Sequence, residues 1–262
     1  MNTVIKTNLL LLTIIATYGL THAQEMKMGD VIIVSNAALK KDVKADTFQD
    51  YFTKEIASAW NKDKPEASMH LFRADRGDRK GEFLLACRAT KQADRNALPA
   101  GSPFTNTRLS DFLSNPASHT EYQLIGAEKF NSMRSIDILG IHYLKVKPDR
   151  SKEFEKFVVE KLHPAVGQLL PDMQLLYYKA VAGENAGTYI TIFAIESIAA
   201  RDKYWPSGAP ETEILKQAFK PLNSLAVELG SYLVEGSYLE PKDGAAAYFE
   251  SIEWTDFINQ GF

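Results

Sequence analysis

Histidine offers the most chemistry in this chain, yet the spacing of its five histidines matches no common zinc motif. Neither His-x-His nor His-Glu-x-x-His occurs, so the sequence predicts no tight metal site. His142 lies in an apolar run and could act as a general base; the alternative is a hydrogen-bonded core or rim histidine. His163 follows Glu160 by three residues, which is half of a di-iron pattern, but no second such pair occurs. A surface or helix-end position is therefore favoured for His163, and a covered strand position for His70.

Two cations and three tyrosines could serve a binding site. Arg73 and Lys179 lie in similar strand-like segments and could hold a carboxylate; the alternative is that they are strand-end side chains reaching for solvent. Tyr177, Tyr178 and Tyr189 could line a pocket and offer hydroxyl groups, or could simply pack. No Ser-His-Asp or Cys-His set can be identified from local spacing. These residues predict a binding surface more readily than a catalytic centre.

The elements that must position these residues repeat along the chain. Gly77 and Gly81 fall on Gly183 and Gly187 at an ungapped offset of 106 residues, and other residues match at the same offset: Phe48 with Phe154, Pro65 with Pro171, and Ala74 with Ala180. Glycine and proline set backbone geometry, so matched positions predict matched turns. We therefore expect two copies of one unit, at residues 28–132 and 136–241, with a docking tail at 242–262.

Each copy is predicted to fold in the order β-α-β-β-α-β, a ferredoxin-like α+β unit with both helices on one face of an antiparallel sheet. The paired glycines predict a hairpin between the second and third strands rather than a phosphate loop. The fourth strands are expected at about 122–129 and 231–239, and the apolar tail after 242 has roughly helical spacing. The two sheets are expected to pack together as a pseudo-dimeric barrel within one chain.

The third strand of the second copy has two different faces. Ile190, Ile192 and Ala194 are aliphatic and are predicted to pack against helices. Tyr189, Thr191 and Phe193 form a mixed aromatic face, which is predicted to meet the second sheet and to line a pocket.

Composition and the termini narrow the class of protein. A net charge of −3 argues against nucleic-acid binding, which requires a basic surface. Lys6, a short apolar run and the small residues before Gln24 predict a signal peptide at residues 1–23, hence a periplasmic or secreted protein, with no transmembrane segment. The single cysteine, Cys87, lies in an apolar strand pattern and is expected in the core.

The segment from Ile141 to Arg150 (IHYLKVKPDR), followed by Glu153 to Phe157 (EFEKF), resembles the opening of the dimeric α/β-barrel superfamily. That group includes antibiotic-biosynthesis-monooxygenase-like, NIPSNAP-like and stress-responsive barrel proteins. The resemblance is clearest over Ile138 to Leu162. It implies a space between sheet and helices for small hydrophobic ligands. Some members oxidise such ligands and some degrade haem, so the resemblance implies no single activity.

This resemblance would direct the face that carries His142 towards the pocket, where the imidazole could be a base or a haem ligand. The predicted site comprises His142, Tyr177, Lys179, Tyr189, Thr191 and Phe193. At the equivalent positions the first copy has a set poorer in hydroxyl groups: Asn36, Leu71, Arg73, Phe83, Leu85 and Cys87. Three functions are predicted as alternatives: an exported protein that binds a small hydrophobic or aromatic molecule, a cofactor-independent monooxygenase or haem-handling enzyme, and a structural or interaction protein whose barrel is filled by side chains.

Overall fold

The computed structural model describes residues 29–64, 67–89, 95, 104, 108–114, 119–127, 137–167, 173–206, 212–239, 250–251 and 254–260. The predicted signal peptide and Gln24 lie outside the described residues. The described residues of the first half form four strands and three short helices: β1 (Val31–Ala37), α1 (Ala45–Tyr51), α2 (Ser58–Asp63), β2 (Ala67–Gly77), β3 (Phe83–Ala89), α3 (Leu109–Phe112) and β4 (Thr120–Ala127). A π-helical segment, Phe52–Ala57, joins α1 to α2.

The second half follows the same order with more helix. Its described elements are β5 (Ile138–Leu144), α4 (Ser151–Phe157), α5 (His163–Gly167), β6 (Met173–Gly183), β7 (Tyr189–Ile195), α6 (Ile198–Tyr204), α7 (Glu213–Phe219), α8 (Asn223–Tyr232), β8 (Tyr238–Leu239), β9 (Glu250–Ser251) and β10 (Trp254–Asn259). A π-helical segment, Val158–Leu162, joins α4 to α5. Short 3-10 turns, Pro148–Arg150 and Lys220–Leu222, precede α4 and α8. No described helix is long and apolar enough to cross a membrane.

Eight strands from both halves close one antiparallel barrel. Their order around the barrel is β4-β1-β3-β2-β10-β5-β7-β6, and β6 pairs with β4 to complete it. The second and third strands of each half match the predicted positions, and so do the first strand of the second half and the fourth strand of the first. The α+β class and the barrel are therefore confirmed.

The eighth strand does not come from the predicted segment. Residues 223–232 are helical, and of the segment expected as a fourth strand Tyr238–Leu239 forms a short strand, paired with β9 outside the barrel, while Leu233 makes an isolated bridge to Val146. The barrel instead closes with β10, so the helical spacing assigned to the tail was wrong for Trp254–Asn259. The run Thr255–Ile258 places Thr255 and Phe257 on the same side of the strand, and both are fully buried.

Both seams between the halves are built alike. β4 meets β6 with Thr120 opposite Gly183 and Glu121 opposite Ala182, followed by a bulge. β10 meets β2 with Thr255 opposite Gly77 and Asp256 opposite Arg76, followed by a bulge. The Thr255 hydroxyl accepts a hydrogen bond from the Arg79 N–H (3.2 Å), and the Thr120 hydroxyl accepts one from the Asn185 N–H (3.4 Å). The short sequences Thr120–Tyr122 (TEY) and Thr255–Phe257 (TDF) therefore occupy equivalent positions at the two seams.

The faces of the sheet are the reverse of those predicted. Residues from both halves fill the barrel lumen, among them Ile32, Val34, Phe72, Leu84, Tyr122, Ile141, Tyr178, Ile190, Ile192, Ala194 and Phe257. Tyr189 and Ile195 instead pack with Phe154 and Phe157 of α4. The interior of an eight-stranded barrel is only wide enough for its own side chains, and here aliphatic residues fill it together with four aromatic ones, Phe72, Tyr122, Tyr178 and Phe257.

The two predicted glycine hairpins are confirmed. Gly77, Gly81, Gly183 and Gly187 all have φ between 87° and 95°, in the left-handed region that favours glycine. The Gly81 N–H donates to the Ala74 carbonyl, and the Gly187 N–H donates to the Ala180 carbonyl, each at 2.9 Å. The same turn therefore connects the second strand to the third in each half.

Replacing Gly183 with alanine should destabilise the fold more than the same change at Gly187. A Cβ on Gly183 would lie 2.2 Å from the His119 carbonyl oxygen, whereas a Cβ on Gly187 would meet nothing within 4 Å. Both changes force alanine to positive φ, which costs about 1 kcal/mol. Gly183→Ala must also move backbone, and we expect about 2 to 3 kcal/mol in total. Urea unfolding of both variants tests this, and equal losses would contradict it.

Candidate functional site

The six residues predicted to bind a ligand share the helix-facing side of three adjacent strands. Cross-strand register places His142, Thr191 and Tyr177 in one row. Tyr189 and Lys179 lie in the next row on one side, and Phe193 lies in the next row on the other. The structure thus brings the set together on one surface, although on the side of the sheet opposite to the lumen. Tyr177, Tyr189 and Thr191 are buried, whereas His142, Lys179 and Phe193 remain partly exposed.

Lys179 and Tyr189 are both held by Glu155 of α4, which the sequence did not single out. The Lys179 ammonium and the Tyr189 hydroxyl each donate to Glu155 Oε1 at 2.7 Å. Burial raises the pKa of Glu155, but these two hydrogen bonds outweigh it and hold that pKa below its ordinary value. At the offset of 106 residues, Glu155 and Tyr189 correspond to Gln49 and Phe83 of the first half. Lys179 is therefore engaged within the protein.

The core between the strands and the helices contains Tyr177, Thr191 and His163, all of which are buried. Burial raises the pKa of Tyr177, opposed by a hydrogen bond with Thr191. His163 is only 5% exposed, and its Nε2 lies 2.8 Å from the Leu175 carbonyl oxygen. His163 is the first residue of α5, so the helix-end alternative is confirmed, whereas the surface alternative was wrong because α5 packs His163 onto β6. His70 is partly buried as expected, with its Nε2 2.9 Å from the Ser68 hydroxyl.

The partly exposed end of the surface is aromatic. The His142 and Phe193 rings meet edge to face, with 5.5 Å between centroids, and Phe193 meets Trp205 edge to face at 5.7 Å. Trp205 directly follows α6, whose first turn is capped by the Ser197 side chain accepting from the Ala200 N–H. Sequence reasoning missed Trp205 because a ring after a short helix carries no periodic signal.

Burial lowers the pKa of His142 from 6.5 to about 4, so its imidazole is neutral near pH 7. Between pH 6.5 and 4 the unfolded chain takes up a proton at this residue that the folded chain excludes. The free energy of unfolding should therefore fall by about 1 to 3 kcal/mol as the pH drops through this window. Urea unfolding across the window should show a flatter slope for His142→Gln. A slope identical to that of the unaltered protein would contradict this expectation.

A buried ion pair lies next to the aromatic rings. The Arg76 Nε donates to Asp256 Oδ2, and Arg76 Nη1 donates to the Trp205 carbonyl oxygen at 2.8 Å. Asp256 Oδ1 projects over Gly140: a Cβ there would lie 3.0 Å from this oxygen and 3.6 Å from the Phe193 Cβ. Burial raises the pKa of Asp256, partly offset by Arg76 and then Arg201. We call His142, Phe193, Trp205, Arg76 and Asp256 the aromatic seam site.

The matching seam of the first half has different chemistry. Strand register aligns Ser35 with His142, so the expected match with Asn36 was one residue off; Asn36 reaches the Tyr143 hydroxyl (3.4 Å) instead. Cys87 takes the place of Phe193, and burial raises its pKa to about 12, which confirms a core thiol. Glu121 takes the place of Asp256 and is paired with Arg95. Among the described residues at these matched positions, the second seam has an imidazole with aromatic rings, whereas the first has Ser35 and Cys87.

In the second half, the described side chains occupy the space that the resemblance would give to a haem. Buried side chains of α4 and α8 fill the space between helices and sheet in the second half, notably Phe154, Phe157 and Tyr232. His163, inside that space, is engaged by the Leu175 carbonyl oxygen. In the described part of the chain no group of three or more His, Cys, Asp or Glu side chains could hold a metal ion.

Comparison with known proteins shows the fold. No family model and no curated protein matches the chain. An anthrone oxidase-like protein has a TM-score of 0.53 at 10% identity, and the match covers 90% of this chain and 93% of that one. The fold that this chain shares with these structures is the dimeric α/β-barrel fold. A proposed chlorite dismutase has a TM-score of 0.51 at 11% identity, with coverage of 90% and 96%. A proposed monooxygenase of Fusobacterium nucleatum has a TM-score of 0.50 at 11% identity, with coverage of 90% and 97%.

Proposed function

We propose that this protein binds a small, planar, largely apolar molecule at the aromatic seam site. The observation that carries the proposal is the partly exposed His142–Phe193–Trp205 ring series beside a buried ion pair. A ligand site needs an apolar wall with a few convergent polar groups, and aromatic rings provide such a wall. Of the six predicted residues, His142 and Phe193 contact the ligand in this proposal. Tyr177, Tyr189, Thr191 and Lys179 form the layer that positions them.

A naphthyl alcohol tests this proposal without assuming the natural ligand. Calorimetric titration with naphthylmethanol should show saturable binding, and His142→Ala should weaken it at least about tenfold. His70→Ala is the matched control, because His70 is also a partly buried strand histidine but lies in the other half of the barrel. Equal affinity in both variants would remove His142 from the site. If no naphthyl probe, neutral or charged, binds the unaltered protein, the proposal is overturned.

An enzyme built on the same site is the second candidate. The fold is shared with proteins described as a monooxygenase, an anthrone oxidase-like protein and a chlorite dismutase, which supports an enzymatic role by fold analogy only. A neutral His142 could accept a proton from a bound ligand. Among cofactors, haem is the one to test, and haemin titration is the test: a ligated haem would shift the Soret band. The packing described above predicts no such shift.

A non-catalytic structural or interaction role is the third candidate, and the side chains that fill the lumen support it. We further propose that the chain arose by tandem duplication as an intramolecular counterpart of a dimer. Repeated details support this proposal. The Phe48–Phe83 and Phe154–Tyr189 ring pairs both have centroids 4.9 Å apart, at 70° and 72°. The π-helical segments also begin 106 residues apart, at Phe52 and Val158.

Export to the periplasm or medium is also proposed, and the leader-like segment at residues 1–23 supports it. N-terminal sequencing of the mature protein is expected to begin at or near Gln24. A mature chain that retains Met1 would contradict the proposal.

A further inference from the structure

Resting on the proposed function, we propose that the aromatic seam site selects aromatic ligands that carry a positively charged amine, which Asp256 Oδ1 receives. The first reason is the direction of this carboxylate. Oδ2 is engaged by Arg76, whereas Oδ1 lies over Gly140, where a Cβ would be 3.0 Å from this oxygen and 3.6 Å from the Phe193 Cβ. One carboxylate oxygen therefore lies beside Phe193 on the side of the sheet that carries the aromatic rings, and Asp256 is only 6% exposed.

The second reason is the local balance of charge. Two guanidinium groups, Arg76 and Arg201, lie among three carboxylates: Asp75, Asp202 and Asp256. This cluster carries one net negative charge when all its members are ionised. A cationic ligand would neutralise that charge, and an anionic ligand would add to it.

The third reason is that the two guanidinium groups are held away from Oδ1. Arg76 directs its Nε at Oδ2 and its Nη1 at the Trp205 carbonyl. Arg201 directs its Nε at Asp202 and its Nη1 mainly at Asp75, 2.8 Å away, with Asp256 Oδ2 at 3.7 Å. Aromatic rings favour cations further, because the face of each ring carries partial negative charge.

Three probes with one ring system separate the contribution of charge from that of shape: naphthylmethylammonium, naphthylmethanol and naphthoate. At neutral pH the amine should bind the full-length protein about tenfold more tightly than the alcohol, and the carboxylate should bind more weakly than both. Asp256→Asn should bring the ratio of amine to alcohol affinity to about one. Glu121→Gln is the matched control, because Glu121 holds the equivalent place at the other seam and is also paired with an arginine. It should leave the ratio unchanged.

Gly140→Ala is the second variant, in case Asp256→Asn does not fold. It keeps the charge but displaces Oδ1, because the new Cβ would lie 3.0 Å from that oxygen, and the amine should lose most of its advantage. If the amine and the alcohol bind the unaltered protein equally, the selectivity is overturned while the proposed function stands. If none of the three probes binds, the proposed function itself fails. If Glu121→Gln lowers the ratio as much as Asp256→Asn, the assignment to Asp256 is wrong.

Discussion

A chain that ends at residue 249 is expected to lose its cooperative unfolding transition. Without β10 the barrel opens between β2 and β5, and the backbone donors and acceptors of both edges lose their partners. The lumen also loses Phe257, which is fully buried, a loss that alone costs about 3 to 5 kcal/mol. Removal of Asp256 leaves Arg76 and Arg201 with one carboxylate fewer. Together these losses are comparable to the whole stability of a typical domain.

Thermal unfolding followed by circular dichroism, with light scattering to detect aggregation, measures this effect. A chain that ends at Gln260 keeps β10 and serves as the control. The tail was predicted from the sequence to be a docking segment, and such a segment could be removed at moderate cost. If the chain ending at 249 unfolds cooperatively at the same temperature as the control, β10 does not close the barrel in solution.

Arg201→Ala should have the next largest effect. The Arg201 side chain is 3% exposed and has Asp75, Asp202 and Asp256 around it. Removing one member of a buried ion pair leaves its partner's charge uncompensated, which costs about 3 to 5 kcal/mol. Asp75 and Asp202 are more than a third exposed and can return to water, whereas Asp256 keeps Arg76 but loses its second cation. We therefore expect about 3 kcal/mol, part of it from Asp256 and part from the lost packing of the buried Arg201 side chain.

The pH dependence of the stability lost in Arg201→Ala tests whether Asp256 contributes to that loss. Burial already raises the pKa of Asp256, and removal of the Arg201 cation should raise it further. A group whose pKa is raised by folding stabilises the native state when it is protonated, so the loss should shrink in mild acid. Urea unfolding at neutral and mildly acidic pH tests this sign, and a loss that grows in acid would contradict it. Asp75→Asn is the control, with an expected change below about 1 kcal/mol.

Local signals in the sequence were sufficient for the hairpins and most strands. Gly77, Gly81, Gly183 and Gly187 need left-handed backbone, and no other residue type adopts it as readily. A strand such as Tyr189–Ile195 is marked by its own alternation and β-branched residues. These features depend only on neighbours in the chain. They could therefore be predicted without knowledge of the overall packing.

Which face of each strand points into the barrel lumen could not be predicted from the sequence of that strand alone. Ile190 and Ile192 could pack against either a helix or another sheet, because both environments are apolar. Closure of the barrel decides between them, because it turns one face of every strand into the lumen, and closure depends on all eight strands together. The position of β10 has the same origin. Its partners, β2 and β5, are separated from it by more than a hundred residues, and the match of TDF to TEY is too short to stand out in the sequence.

For the same reason, only part of the candidate site could be predicted from the sequence. His142 and Phe193 were identified because they share a strand pattern with apolar neighbours. The proximity of Arg76 and Asp256 to these two residues could not be predicted without the position of β10. The contacts of Glu155 with Lys179 and Tyr189 likewise depend on how α4 packs against the sheet. His142 and Phe193 could thus be predicted from local sequence, whereas Trp205 and the charged residues of the site could not.

β10 is the last of the barrel strands in chain order, and this sets the order of events during synthesis. Until residue 254 is translated, the nascent barrel has a gap between β2 and β5. Domains fold as they emerge at about 5 to 20 residues per second, and unpaired strand edges attract other chains during that interval. Pairing of β10 is therefore the closing step of barrel folding. Nascent chains arrested before residue 254 should require chaperones that the released protein does not.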